Sequence, residues 1–449
     1  MYRNTKPVNC VEFYPNTLTI STSSLSNPPD LSSREVLVEV LAVALDQWDL
    51  HLLCSLGASS RTTIRSARDL ARRQKQPHPQ GIVPGRSFFG KILEVGRAVK
   101  RVKRGDLVYG LQDLSKAGAL SARIKISSDF VAKAPLNCGK TLRRHSGVFN
   151  SECSYSMKAS TDVWSEFCSP PQLSSIEIAC LPILAVPAAL IAGSVCQELP
   201  KGSKILILNG HKGIGRMILQ LMQYFRPNRD LWISVHVPQT AGANLVDSEH
   251  LSERLVTEGA TEVIISESVL RLFHSQHESS FDMVLDTIGG QRIYDGSRRI
   301  LHHSGMFVST VGPSSTTSLS PSRFFRLRSL KRQFFKKDTK LIRYWQVTPA
   351  ERYDGAQPEE IRTVLEALSD WLSEPDDTKE QSDEFQFFPG LCWPVIGSVI
   401  EGLEHSMEFL LESLAVSTSD SNLFPEAKDY YEDSRLLKFG NLAVVVINS

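Results

Sequence analysis

From Glu35 the chain reads EVLVEVLAVAL, an apolar, β-branched run that fits a buried strand. KILEVG and DLVYGL follow as short strands with Gly96, Gly105 and Gly110 at the turns, which predicts a compact β-rich unit ending near Pro135. The stretches 59–80 and 137–171 show no period and read as insertions. After Leu173 the pattern changes. KILILNG, LWISVHV, TEVII, FDMVLDTIG and GMFVSTVG are apolar runs of strand length. Between the first two, Met217, Ile218, Leu221, Met222 and Phe225 recur on one helical face. Fully apolar strands alternating with helices predict a parallel sheet covered on both faces, hence an α/β chain with a β-rich domain and a doubly wound domain. Ile178–Gly193 is apolar but is broken by Pro182 and Pro187. A membrane span needs about 20 apolar residues, so this shorter run predicts a buried helix. A helix over Glu359–Leu372 and a last strand, LAVVVINS, complete the pattern.

Composition narrows the class without naming a chemistry. With 50 basic and 49 acidic residues in 449, and 41% hydrophobic content, the chain is neither disordered nor collagen-like. Two or three domains are expected. The charge is unevenly placed: Arg61–Arg104 holds thirteen basic and two acidic residues, while Glu351–Ser434 holds four basic and twenty-one acidic. The neutral total does not fit a nucleic-acid-binding chain. None of the eight cysteines forms a C-x-x-C pair, which excludes a zinc ribbon and a dithiol redox motif, and Met1–Ile20 carries no apolar signal core. A cytoplasmic, reducing compartment is the expectation.

The sharpest chemical signal is ILILNGHKGIGRMILQLMQ, a strand that runs through Gly210, Gly213 and Gly215 directly into an amphipathic helix. Glycines allow a tight turn and close backbone approach to a pyrophosphate, whose charge then meets the amides of the helix N-terminus. An ordinary βα turn is the competing reading. The next strand ends in His236 and Val237 with no acid to pair a ribose diol, which disfavours NAD and leaves NADP, although no arginine stands there for a 2′-phosphate. His211 reads as a contact to phosphate or as a solvated turn residue. Asp286, in VLDTIGG, reads as a turn anchor rather than an acid catalyst. The basic segment Arg323–Lys340 places Phe324, Leu327, Leu330 and Phe334 on one helical face. Such a helix suits either packing on its own domain or an anionic membrane surface.

The blocks EVLVEVLAVALDQWDL, VPGRSFFGKILEVGRAVKRVKRGDLVYG, ACLPILAVPAAL, the glycine turn, FDMVLDTIGG and KFGNLAVVV, in this order, resemble the medium-chain dehydrogenase/reductase superfamily in its zinc-free quinone-oxidoreductase and enoyl-reductase-like branch. Within it the chain is similar to fungal members, including proteins implicated in sorting the plasma-membrane proton ATPase. The resemblance implies a GroES-like catalytic domain over 1–172 and a Rossmann domain over 173–315. A basic insertion and helical segment would span 316–384, and 385–449 would return to the first domain. It also implies hydride transfer from NADPH to a quinone or enone without zinc, since Gly85-Arg86-Ser87 stands where zinc members carry Gly-His-Glu. By the same resemblance Gly210, Lys212, Gly213, Ile214 and Gly215 surround the pyrophosphate. His236, Gly289, Val311 and Gly312 lie along the cofactor, and Asp46 and Trp48 either line the catalytic cleft or cap and pack the loop after the first long strand. Three departures stand out: Asn209-Gly210-His211-Lys212 in the phosphate turn, Pro187 where a threonine is common, and Asp46-Gln47 in place of Asn-Pro. They support an alternative, a member with weak or absent turnover that works as a membrane-surface binding or sorting protein. The partners to weigh are therefore a small substrate, an anionic membrane or membrane protein, and a second copy of the chain.

Overall fold

The computed structural model describes residues 8–14, 19–25, 31–46, 49, 83–112, 118–135, 174–226, 228, 230–239, 245–311, 340–346, 358–373, 396–401, 403, 405, 406, 409, 410 and 442–447. The insertions at 59–80 and 137–171, the face Phe324–Phe334, Trp48 and Gly312 lie outside them.

The β-rich unit opens with an antiparallel hairpin, β1 (Val8–Tyr14) and β2 (Thr19–Leu25). Its main sheet is built on β3 (Glu35–Leu45), β4 (Ser87–Val95), β5 (Leu107–Leu111), β6 (Arg123–Ser127) and β7 (Val131–Lys133). The run that begins EVLVEV is apolar because β3 is covered on both sides. Val36, Val38, Val40 and Val43 pack within the β unit, while Ala42 and Ala44 join the core of the helical unit. Two late strands, β14 (Ile396–Glu401) and β15 (Leu442–Val446), complete this sheet in the order β14-β15-β3-β4-β5-β7, with β6 on β3. Val444 stands opposite Ala44, so the end of the chain is a neighbour of its first long strand.

The junction is helix α1 (Ser175–Glu198). It begins with a capping box, Ser174 Oγ accepting from the Glu177 amide and the Glu177 carboxylate accepting from the Ser174 amide at 2.8 Å. The helix continues through Pro182 and Pro187, each of which removes an intrahelical donor. Packing holds it: sixteen of its 24 residues are buried, against β3, β4 and β5 on one side and the next helix on the other. By length and composition α1 is the one described helix that could cross a membrane, and here it is a core element.

The second unit alternates β8 (Lys204–Ile207), α2 (Gly213–Phe225), β9 (Trp232–Pro238), α3 (Leu245–Thr257), β10 (Glu262–Ser266), α4 (Val269–Ser275), β11 (Phe281–Asp286), α5 (Gln291–Ile300), β12 (Leu301–Ser309) and β13 (Arg343–Gln346). Its six strands are parallel in the order β10-β9-β8-β11-β12-β13. Ile205 and Ile207 face the core shared with α1 and α2, and Leu206 and Leu208 face the opposite core with α4 and α5. The chain winds outward from β8 to β10 and then crosses back to β11. That reversal opens a crevice at the carboxyl ends of β8 and β11, the place where open α/β sheets bind ligands. On α2, Met217, Ile218, Leu221 and Met222 are buried as the periodicity predicts, but Phe225 is 41% exposed. As the last helical residue it lies past the covered face. Lys340, the described end of the basic segment, donates to the carbonyls of Arg298, Arg299 and Leu301 and so caps the C-terminus of α5.

Helix α6 (Pro358–Leu372) buries Ile361, Leu365 and Leu368 in the junction core. Its outer side pairs Arg362 with Asp129 at 3.1 Å and Glu366 with Arg101, which fastens it to the β unit.

Candidate active site

The turn after β8 is shaped by backbone constraints. Asn209 lies in the left-handed region at φ 55°, a conformation that asparagine tolerates better than other side chains bearing a Cβ. The Gly210 amide donates to the His236 carbonyl at 3.2 Å and ties the turn to the end of β9. Gly213, which opens α2, has φ 56°. The other two glycines answer to packing: a Cβ on Gly210 would stand 2.9 Å from Ile207 and Val235, and one on Gly215 would stand 3.0 Å from the Gly210 Cα. Strand and helix can meet this closely only without those side chains. Ile214, also assigned to the cofactor from the sequence, turns its side chain onto the junction core. Lys212 is the extended N-cap of α2 and makes no side-chain cap hydrogen bond. The site therefore presents the positive end of the α2 dipole at the crevice.

Around this turn three buried polar atoms have no hydrogen-bond partner among the described residues: Asn209 Oδ1, His211 Nδ1 and His236 Nδ1. Burial pushes the His236 imidazole down to about 4. Burial and then the Lys212 charge, with His236 and Arg216 behind it, push His211 to about 3. Burial also lowers the proton affinity of Lys212. Both imidazoles are neutral at physiological pH. Arg216 is held by Glu258, with Nε at 2.7 Å from Oε2.

Across the crevice Asp286 organises the end of β11. One carboxylate oxygen accepts from the Ile288 and Gly289 amides at 2.9 Å, and the other accepts from the Ser309 hydroxyl at 2.8 Å. Burial pushes the Asp286 carboxyl up, and these three donors pull it back. The Asp286 carbonyl takes the Thr310 amide at 2.9 Å, which positions Val311 next to the same turn. The Thr287 hydroxyl donates to the Leu208 carbonyl at 2.8 Å and joins the two walls of the crevice. Gly289 and Gly290 have φ 83° and 99°, and the Cβ position of Gly290 is in open space.

Asp46 belongs to the other unit. It lies at the end of β3, beside the start of β4 and the end of β5, and accepts from the Arg86 guanidinium at 2.9 Å. Asp49, which the sequence reading passed over, completes the arrangement. Its carboxylate accepts from the Asp46 and Gly85 amides at 3.0 and 2.8 Å, and its amide donates back to Asp46. Burial first, then the Asp46 charge, push Asp49 up to about 7 against the pull of Arg86 and the two amides. Asp46 thus caps its own loop. Helix α1 packs against β3 and β4 beside this edge. The Ser87 hydroxyl donates to the Ala179 carbonyl in the second turn of α1 at 2.6 Å.

The residues fit a dinucleotide: a helix N-terminus, a glycine turn at the reversal point, open space at Gly290, and buried polar atoms left without protein partners. Among the described residues no group of three His, Cys, Asp or Glu side chains converges as a metal site.

Residues 32–135 match the alcohol dehydrogenase GroES-like domain family. The zebrafish (Danio rerio) mitochondrial NAD(P)H oxidoreductase RTN4IP1 is 25% identical over 262 residues, 58% of this chain and 54% of that protein. The tomato (Solanum lycopersicum) 2-methylene-furan-3-one reductase is 25% identical over 202 residues, 44% of this chain and 38% of that protein. The chain thus spans about half or less of the length of these relatives. Among solved structures, the quinone oxidoreductase from Coxiella burnetii superposes with a TM-score of 0.55 at 16% identity, covering 99% of this chain and 100% of that one. The CurK enoyl reductase superposes with a TM-score of 0.57 at 16% identity and the same coverage. With a GroES-like domain at 32–135 and a six-stranded Rossmann-like sheet behind it, the chain has the two-domain fold of these solved quinone and enoyl reductases.

Proposed function

We propose that this chain is a zinc-independent, NADPH-preferring reductase of quinones or enones. The observation that carries the reading is the glycine turn at the reversal of the parallel sheet, which runs directly into the N-terminus of α2. When bound, the nicotinamide supplies a hydride. The chain's own residues hold and orient. The α2 N-terminus and Lys212 face the pyrophosphate, and Gly213 gives the backbone the turn it needs. Asp286 fixes the wall formed by Gly289, Thr310 and Val311. The end of β9 carries His236 rather than a carboxylate, so nothing there repels a 2′-phosphate, and this supports NADPH over NADH. Asp46 and Arg86 form the polar rim against which a carbonyl substrate would seat. Positioning of this kind supplies much of the rate in hydride transfer, which needs no metal.

The test is oxidation of NADPH by a small quinone and by an α,β-unsaturated ketone, with elemental analysis of the same preparation. The expected result is turnover with less than stoichiometric zinc. Turnover that follows zinc content across preparations would overturn the zinc-independent part. Cell fractionation tests the cytoplasmic expectation, which the mitochondrial name of the zebrafish relative makes worth checking.

A further inference from the structure

We infer that His211 and His236 read the adenosine-ribose substituent of the cofactor, and that a 2′-phosphate bound there draws a proton onto this pair. Preference for NADPH over NADH therefore rises as the pH falls. The inference rests on the nicotinamide reading above and extends it.

The geometry begins at Ser266, whose hydroxyl donates to the Ser268 carbonyl at 3.1 Å and lies 3.0 Å from the His236 Nε2. The His236 Nδ1 is buried and has no hydrogen-bond partner among the described residues. His236 is only 1% exposed, and its carbonyl holds the Gly210 amide, so the ring belongs to the wall of the phosphate turn. His211 is half-buried on the turn itself, and its Nδ1 also lacks a partner. Buried polar atoms in native folds nearly always find partners, and two on adjacent imidazoles at the carboxyl ends of β8 and β9 point to a ligand.

The charges around the pair are one-sided. Lys212, Arg216 and the His236 ring act on His211. Arg216 is answered by Glu258, which Arg254 also contacts at 3.2 Å. Burial is the first reason both imidazoles are neutral in the free protein, and at His211 the Lys212 charge, then His236 and Arg216, add to it. A 2′-phosphate dianion reverses this balance, since an opposite charge favours protonated imidazole. A ribose hydroxyl does not: it can donate to a lone pair but carries no charge. Proton uptake then accompanies NADPH and not NADH, and by linkage lower pH favours NADPH.

The experiment is calorimetric titration with NADPH and NADH at pH 7 in two buffers of different ionisation heat, repeated between pH 6.5 and 8. The variants are His211→Asn, His236→Asn and Lys212→Gln, with folding checked by circular dichroism. The expected result is uptake of a sizeable fraction of a proton with NADPH and none with NADH. The NADPH-to-NADH affinity ratio should rise about 3- to 10-fold from pH 8 to 6.5. Either histidine substitution should reduce the uptake and flatten the ratio, whereas Lys212→Gln, which removes a cation that faces the pyrophosphate and opposes protonation of His211, should weaken both dinucleotides and keep proton uptake specific to NADPH. Uptake that persists in both folded histidine variants, that disappears with Lys212→Gln alone, or that is equal for the two dinucleotides would overturn the histidine inference and leave the reductase reading standing. Absence of binding by either dinucleotide would overturn that reading, and the inference with it.

Discussion

Asp286→Ala is the substitution whose cost the structure specifies most fully. The carboxylate satisfies two backbone amides, Ile288 and Gly289, at 2.9 Å and the Ser309 hydroxyl at 2.8 Å, and Asp286 itself is 1% exposed. Each buried donor left without its acceptor costs about 1–3 kcal/mol. The Ser309 hydroxyl can rotate to another acceptor, so the two amides dominate. Part of the loss is offset, because burial already pushes this carboxyl up and its removal ends that strain. The net cost is about 2–4 kcal/mol, concentrated at the end of β11. Hydrogen exchange followed by mass spectrometry on peptides spanning 281–295 reads it locally. Exchange there should be about 30- to 700-fold faster in Asp286→Ala, at 1.4 kcal/mol per decade. Asp286→Asn keeps an acceptor for the amides and should accelerate exchange by less than about tenfold. If alanine and wild type exchange alike, the carboxylate is not the anchor of this wall.

Two further outcomes follow from the β unit and the basic segment. Asp49 is folded with its carboxyl up at about 7, above the unfolded value near 3.8, so the native state binds the extra proton between these values and stability falls as pH rises from about 4 to 7. Urea midpoints of Asp49→Asn should lose that downward slope, and an unchanged slope would assign it to another group. Purified protein should sediment with anionic liposomes at low salt if Arg323–Lys340 acts at a membrane surface. Replacement of Arg326, Arg328, Lys331 and Arg332 by glutamine should release it, and indifference of the wild type to anionic lipid would remove that reading.

Local pattern carried the fold well where burial and periodicity coincide. The β-branched run at Glu35–Leu45 and the apolar runs of the parallel sheet are strands, and four of the five residues assigned to the inner face of α2 are buried. Phe225 departs because a periodic face says nothing about where the covering sheet stops. α1 extends on both sides of the apolar run because its capping box begins four residues earlier and tertiary packing carries it through two prolines. That Gly210, Gly213 and Gly215 form the turn between β8 and α2 was legible because glycine turns carry a mechanism in their spacing. Asn209 was missed as a turn-shaper, although asparagine's tolerance of positive φ was the available signal. Asp49 and its link to Asp46, Gly85 and Arg86 had no such signal. Gly85 is 36 positions from Asp49 and Arg86 is 40 from Asp46, and only the antiparallel pairing of β3 with β4 brings them together.

The central claim is that the turn from Asn209 to Gly215 binds a nicotinamide dinucleotide. Its most direct test is a titration of the intact protein with NADPH, run beside Gly213→Val. Gly213 sits at φ 56°, where a branched side chain is strained, and its backbone faces the position assigned to the pyrophosphate. The account predicts saturable binding of one NADPH per chain, weakened by at least about tenfold in a variant that keeps the wild-type circular dichroism spectrum. No saturable binding, or equal affinity in wild type and Gly213→Val, would contradict it.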